Sequence, residues 1–165
     1  MKSKVFFTKE LTPESLVKLY HALGAELTGK IAVKVHSGEK GNQNFLRPSF
    51  FEPILRLTGG TVVECNTAYQ GARNTTELHL KTMAEHGWSQ FPMEILDREG
   101  EDLVLPIPNG KRIQKDYVGK FIRNYDSILV LSHFKGHPMG GFGGALKQLS
   151  IGFASSYGKA YIHGV

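Results

Sequence analysis

One cysteine, Cys65, stands in 165 residues, which excludes an internal disulfide and any cysteine-rich zinc or iron–sulfur site within this chain. No run of 18 apolar residues occurs, so no transmembrane helix and no membrane partner are expected. The opening residues, Met1 to Phe7, are too short for the apolar region of a signal peptide, and the cytoplasm is the default location. No block of five or six like charges is present, so a basic tail for nucleic acid is not indicated. Internal repeats and low-complexity segments are also missing.

What is present suits a folded domain. Hydrophobic residues make up 41% of the chain, enough to bury a core, and disorder is not expected. The length fits one domain over residues 1–165, or the first half of a larger one. Twenty Lys and Arg against fifteen Asp and Glu leave a formal charge of +5, a mild excess that fits a small anionic molecule as well as nucleic acid.

Local patterns predict strands alternating with helices. Val5 to Thr8 reads as a short strand. Thr12-Pro13 caps a helix whose face is Leu16, Leu19, Tyr20 and Leu23. Ile31 to Val35 is a strand, and Pro48 opens a helix to about Leu57. Thr61 to Cys65 is the next strand, and Asn74-Thr-Thr-Glu77 resembles a capping box for a helix to His86. An antiparallel excursion is expected near 93–105, and Tyr117, Val118, Phe121, Ile122 and Tyr125 mark another amphipathic helix. Ser127 to Ser132 is a strand, Ala145 to Leu149 a helical turn, and Ala160 to His163 one more strand. The fold class is therefore α/β: three layers, a mostly parallel sheet with helices on both faces, and a small antiparallel excursion.

Polar groups follow three of these strands. His36, Glu39 and Arg47 come after one, Asn66, Thr67 and Arg73 after the next, and His133, Lys135 and His137 after a third. Ligands of open α/β sheets bind outside the carboxyl ends of the strands. The three loops are thus expected to converge on one site for an anion.

Several motifs fail on inspection. Gly24 to Lys30 has phosphate-loop spacing, but Ile31 replaces the Ser/Thr and a helix precedes it. Leu146 stands where a dinucleotide fingerprint would need its third glycine. His133 and His137 have zinc-helix spacing, but Gly136 and Pro138 oppose a helix there.

The segment Ser132 to Lys147, "SHFKGHPMGGFGGALK", remains. Its glycines, Gly141, Gly143 and Gly144 among them, permit positive φ and an anion-binding nest of backbone N–H groups. His137 can exchange protons near neutral pH, and Lys147 can pair with an anion.

Three long strings carry a resemblance. "VKVHSGEKGNQNFLRPSF", "ECNTAYQGARNTTELHLKTMAEHG" and "LSHFKGHPMGGFGGALKQLSIGFASSYGK" are similar to the N-terminal part of the family called domain of unknown function 362. Members of that family often continue into a cysteine-rich segment resembling a four-iron ferredoxin module. The resemblance therefore implies an N-terminal part of a larger protein, with any 4Fe-4S cluster in a C-terminal segment outside these residues.

A remoter resemblance is to the nickel-pincer lactate racemases, whose motif has the form His-x-x-x-Gly-Phe-x-Gly-Gly-x-Lys. His137, Gly141, Phe142, Gly143, Gly144 and Lys147 approximate it, with the glycine pair shifted by one place. This likeness implies His137 as acid/base, Lys147 as tether of a nickel-pincer-like cofactor, and His163, sixteen residues on, as metal ligand. It further implies Arg47, before Pro48, as the substrate-holding arginine and His79 as the second acid/base, although Leu46 replaces a threonine of that family's motif.

The expectation is an uncharacterised family member whose domain is a metal- or cofactor-dependent enzyme. It would bind a small anionic substrate and transfer a proton in the manner of a racemase or isomerase. His137 and His79 are the catalytic candidates; Arg47, His36, Asn66, Arg73, His133, Gly141, Gly143 and Gly144 would hold the anion. Lys147 would hold the cofactor and His163 the metal. The alternative is an iron–sulfur electron-transfer protein with a redox partner, for which this domain is a scaffold.

Overall fold

The computed structural model describes residues 3–100, 102–137 and 140–164. Four parallel strands form its centre: β1 (Ile31–Lys34), β2 (Thr61–Glu64), β3 (Met93–Ile95) and, later in the chain, β6 (Ser127–Val130). Their order across the sheet is β3-β2-β1-β6. The chain runs outward from β1 through β2 to β3, then returns to the other side of β1. Strand order thus reverses between β1 and β6, the position at which open parallel sheets place their ligands.

Near-continuous apolar composition makes these strands suited to burial on both sides. Alternate residues supply two cores. On one side Val33, Val35, Val62, Ile95 and Leu131 pack with Phe51, Ile54, Leu55, Met83 and Trp88. Those partners come from α2 (Pro48–Thr58), from α3 (Thr76–Glu85) and from a 3-10 turn at Trp88–Gln90, with α1 (Pro13–Leu23) packed outside α2. Full burial of each such side chain contributes about 1.5–3 kcal/mol. On the other side Ala32, Val63, Cys65 and Leu96 meet Val118 and Phe153.

The second layer of cover differs in detail from the sequence expectation. The antiparallel element pairs β4 (Asp102–Pro106) with β5 (Lys115–Gly119), whereas Met93–Ile95 joins the parallel sheet as its edge. Only Lys120–Asn124 of the expected helix at 117–125 is helical, as a 3-10 turn. Residues 5–8 form no strand. α3 starts one residue late, its cap being Thr75, which accepts from Leu78 N.

The glycine segment forms an antiparallel pair, β7 (Lys135–His137) with β8 (Gly141–Gly143), followed by the short α4 (Ala145–Leu149). Gly141 has φ of 73°, the left-handed region that suits glycine. The last element, α5 (Ser156–His163), is a helix where a strand was expected. Ser155 caps it by accepting from Gly158 N at 2.9 Å, and its rings Tyr157 and Tyr161 pack edge-on against Tyr117 of β5.

Candidate functional site

A cleft of about 360 Å³ opens at the carboxyl edge of the sheet, across the reversal between β1 and β6. Lys34 and His36 reach it from the end of β1, Glu64 and Cys65 from β2, and His133 from the segment after β6. Lys135 and His137 of β7, Gly143 and Gly144, Lys147 of α4, and Lys159 and His163 of α5 complete the wall. The strands fix the floor, and the β7–β8 pair with the last two helices forms the opposite side. A second hollow, beside the edge strand β3, is lined by Lys30, Glu94, Arg98 and Tyr125. Its charges are spent on one another: Arg98 Nη1 bonds Glu94 at 2.5 Å and Tyr125 donates to the same carboxylate. Among the described residues it is lined by no imidazole.

The floor of the main cleft is a closed ionic network. Glu64, 4% exposed, lies 3.5 Å from Lys34 Nζ and 3.5 Å from Arg73 Nη1. It also accepts Ser37 N–H at 2.6 Å. Burial alone would raise its pKa, but the Lys34 charge, the His79 ring 3.9 Å away and the Arg73 charge hold the carboxyl well below its usual range. Lys34 donates to Val35 O at 2.7 Å and to Gln148 Oε1 at 2.8 Å. Arg73 forks onto Glu39, with Nε 3.1 Å from Oε2 and a second, shorter bond from Nη2 to Oε1. Tyr69 also donates to Glu39, at 2.7 Å. Two fixed cations and two carboxylates balance here.

The opposite wall does not balance. Among the described residues, Glu39 and Glu64 are the only carboxylates that line the cleft, and both are engaged by the floor. Lys135, Lys147 and Lys159 add three further cations, and His133, His137 and His163 three imidazoles. Desolvation and the neighbouring Lys135 lower the Lys147 pKa. Desolvation, then Lys147, Lys135 and His163, lower that of His137. Burial lowers Lys159 as well, although Cys65 and Asp97 oppose it. Lys135 opposes the charge of both Lys147 and His137, which marks a place where an anion would relieve repulsion.

The sequence candidates divide by position. His36, Arg73, His133, His137, Gly143, Gly144, Lys147 and His163 line this one cleft. Arg47 does not line it: its guanidinium bonds Gln43 at 3.0 Å and stacks 4.1 Å above the Phe45 ring. Gly141 is likewise outside the lining. Asn66 is buried, with its N–H on Asp97, its amide on Thr76 Oγ1 and its Oδ1 3.3 Å from His79 Nδ1. His79 is fully buried, 3.9 Å from Glu64, and meets the cleft only through that carboxylate. Its burial follows from α3 packing that face against the core.

Lys34, Glu64, Gln148 and Lys159 were not singled out by the sequence, whereas Lys135 was expected at the site with His133 and His137. Lys34 and Glu64 did carry a signal: each is a lone charge at the same place in an apolar strand, "IAVKV" and "TVVEC". Cys65 lines the cleft as a weak participant, because burial pushes its thiol up to about 12 and Sγ donates to Phe153 O at 3.3 Å. Among the described residues, no three His, Cys, Asp or Glu side chains are grouped to hold a metal ion.

Residues 31–165 match the model of a family described as a domain of unknown function (DUF362). No curated protein and no solved structure matches the chain.

Proposed function

The chain belongs to the DUF362 family, and we propose that its cleft binds a small anionic molecule and moves a proton on it, as a cofactor-dependent domain of racemase or isomerase type. The observation that carries this reading is the uncompensated charge of the outer wall. Among the described residues, Lys135 and Lys147 face the cleft without a carboxylate of their own, while Glu39 and Glu64 are held by Arg73 and Lys34. An acidic ligand entering here gains charge-assisted hydrogen bonds in a partly desolvated space. His137 stands beside those lysines with a lowered pKa, and Gly140 N–H donates to its Nδ1 at 3.0 Å, so the neutral ring takes up a proton there only when that bond opens.

A pincer-type metal cofactor fits the arrangement in one respect. Lys147 and His163, its tether and metal ligand by resemblance, share the cleft with His137. A metal here would take most of its ligands from the cofactor, since the described side chains group no three donors. Such a group, when bound, would supply electron-accepting chemistry that these side chains do not. The chain's own part is to hold the acid at Lys135 and Lys147 and to exchange the proton at His137.

Calorimetric titration of the purified chain with lactate and with phosphate tests the anion reading. Binding by wild type that falls at least tenfold in Lys135→Ala/Lys147→Ala supports it. Equal binding by both proteins removes it. Intact mass and metal content of protein from its native host test the cofactor separately: a covalent adduct on Lys147 with stoichiometric nickel is expected, and unmodified, metal-free protein removes that part alone.

A further inference from the structure

The turn that follows β1, His36-Ser37-Gly38, is held on several sides. Ser37 N–H donates to Glu64 Oε1 at 2.6 Å. The Ser37 carbonyl accepts from Trp88 Nε1 at 3.2 Å and lies 2.9 Å from His86 Nδ1. Gly38 has φ of 99°, and a Cβ there would meet the Phe45 ring at 2.7 Å, so only glycine fits. Phe45 is itself stacked on His86 at 4.3 Å.

Held in this way, Gly38 N–H donates to His36 Nδ1 at 3.0 Å. A ring nitrogen that accepts carries no proton, so the proton of the neutral imidazole sits on Nε2. His36 lines the cleft, and among the described residues no hydrogen bond engages Nε2. The charged groups facing the ring are Lys34 of β1, Glu64 of β2, Arg73 before α3 and Glu39 of its own loop. Burial, with Arg73 and Lys34, outweighs the two carboxylates and lowers the His36 pKa to about 4. At neutral pH this ring is uncharged and its tautomer is set by the backbone.

We propose that His36 is a fixed neutral hydrogen-bond donor that reads an uncharged oxygen of the ligand, a hydroxyl or carbonyl. The cleft then favours an acid that also carries such an oxygen over a simple carboxylate. This rests on the anion-binding reading of the cleft and adds the second point of recognition. The acidic group sits on the lysine wall; the second oxygen sits on the β1 turn. A neutral imidazole also stabilises negative charge that develops on that oxygen without giving up its proton.

Two measurements test it. In the full chain labelled with ¹⁵N at histidine, long-range proton–nitrogen spectra from about pH 5.5 to 8 should show His36 protonated at Nε2 throughout. Titration in that range, or an Nδ1–H tautomer, overturns the proposal. Calorimetry with lactate and with propionate, the same acid without the hydroxyl, reads recognition. Wild type should prefer lactate about tenfold, the equivalent of one good hydrogen bond. His36→Gln, which keeps a side-chain N–H, should retain the preference. His36→Val should lose it, lactate then binding no better than propionate. An unchanged preference in His36→Val overturns the recognition role. Failure of wild type to bind either acid overturns the anion reading and the recognition role together, whatever the tautomer.

Discussion

Lys34 Nζ lies 3.5 Å from a Glu64 carboxylate oxygen, and both side chains are almost wholly buried at the ends of adjacent parallel strands. A buried pair of this kind adds little over an apolar pair, yet breaking it on one side strands a charge. Glu64→Gln leaves Lys34 without a carboxylate and takes one of two from Arg73. The expected loss is about 3–5 kcal/mol in urea unfolding at pH 7. Adding Lys34→Met should return part of it. If the double variant is as unstable as the sum of the two single ones, the pair is not coupled.

The same carboxylate sets an acid limit. Its pKa in the folded protein is depressed below the ordinary 4.5, so its stabilisation is present above that value and is lost as pH falls below it. Wild type should therefore lose stability steeply below about pH 4.5, and Glu64→Gln should have a flatter acid limb. Unfolding midpoints measured from neutral pH down to about 3 decide this.

His36 adds a second, earlier slope. Its pKa falls from 6.5 to about 4 on folding, because burial and two cations oppose its protonation. The unfolded chain binds that proton first, so stability is full above pH 6.5 and declines toward pH 4. Linkage puts the decline at up to about 3 kcal/mol. His36→Gln cannot titrate and should lack it. Parallel pH–stability curves for the two proteins would show that His36 is not held neutral.

Much of this architecture was legible in the sequence. The runs at 31–35, 61–65 and 127–132 are apolar and bounded by polar loops, and each contains a strand. Their parallel pairing brings His36, His133 and His137 to one edge, as alternation with helices implies. The residues from Tyr117 to Tyr125 misled because spacing reports burial as much as period. Val118, Phe121, Ile122 and Tyr125 do pack on one core, but the backbone of Tyr117 and Val118 pairs with β4 instead of coiling. Pairing between segments far apart in sequence leaves no local trace. α5 was hidden by Gly158, a poor helix residue whose reason is tertiary: a Cβ there would stand 2.1 Å from Tyr117 O. Arg47 looked like an anion clamp, but Gln43 and Phe45 occupy its guanidinium.

That difference separates two arginine and lysine candidates by experiment. Lys147→Ala removes a cation from the cleft wall and should weaken phosphate binding about tenfold, with the loss shrinking at high salt. Arg47→Ala removes a side chain outside the lining and should leave the affinity unchanged. Calorimetry at two ionic strengths measures both. A larger effect from Arg47→Ala would mean that the anion sits elsewhere than between α4 and β7.

Gly158→Ala tests how α5 is seated. In a solvent-exposed helix the change would stabilise by about 1 kcal/mol, since alanine is the better helix former. Here the new methyl would stand 2.1 Å from the Tyr117 carbonyl oxygen and 3.1 Å from its Cβ, so helix and β5 must move apart. Overpacking of this kind typically costs 1–3 kcal/mol. The expected sign in urea unfolding is therefore negative, against helix propensity. The shift would also carry Lys159 and His163 away from the cleft, because both stand on α5. Anion affinity should fall in Gly158→Ala under conditions where the protein is still folded. A variant that is more stable than wild type, with unchanged affinity, would show that α5 is not pressed against β5 and does not position that side of the site.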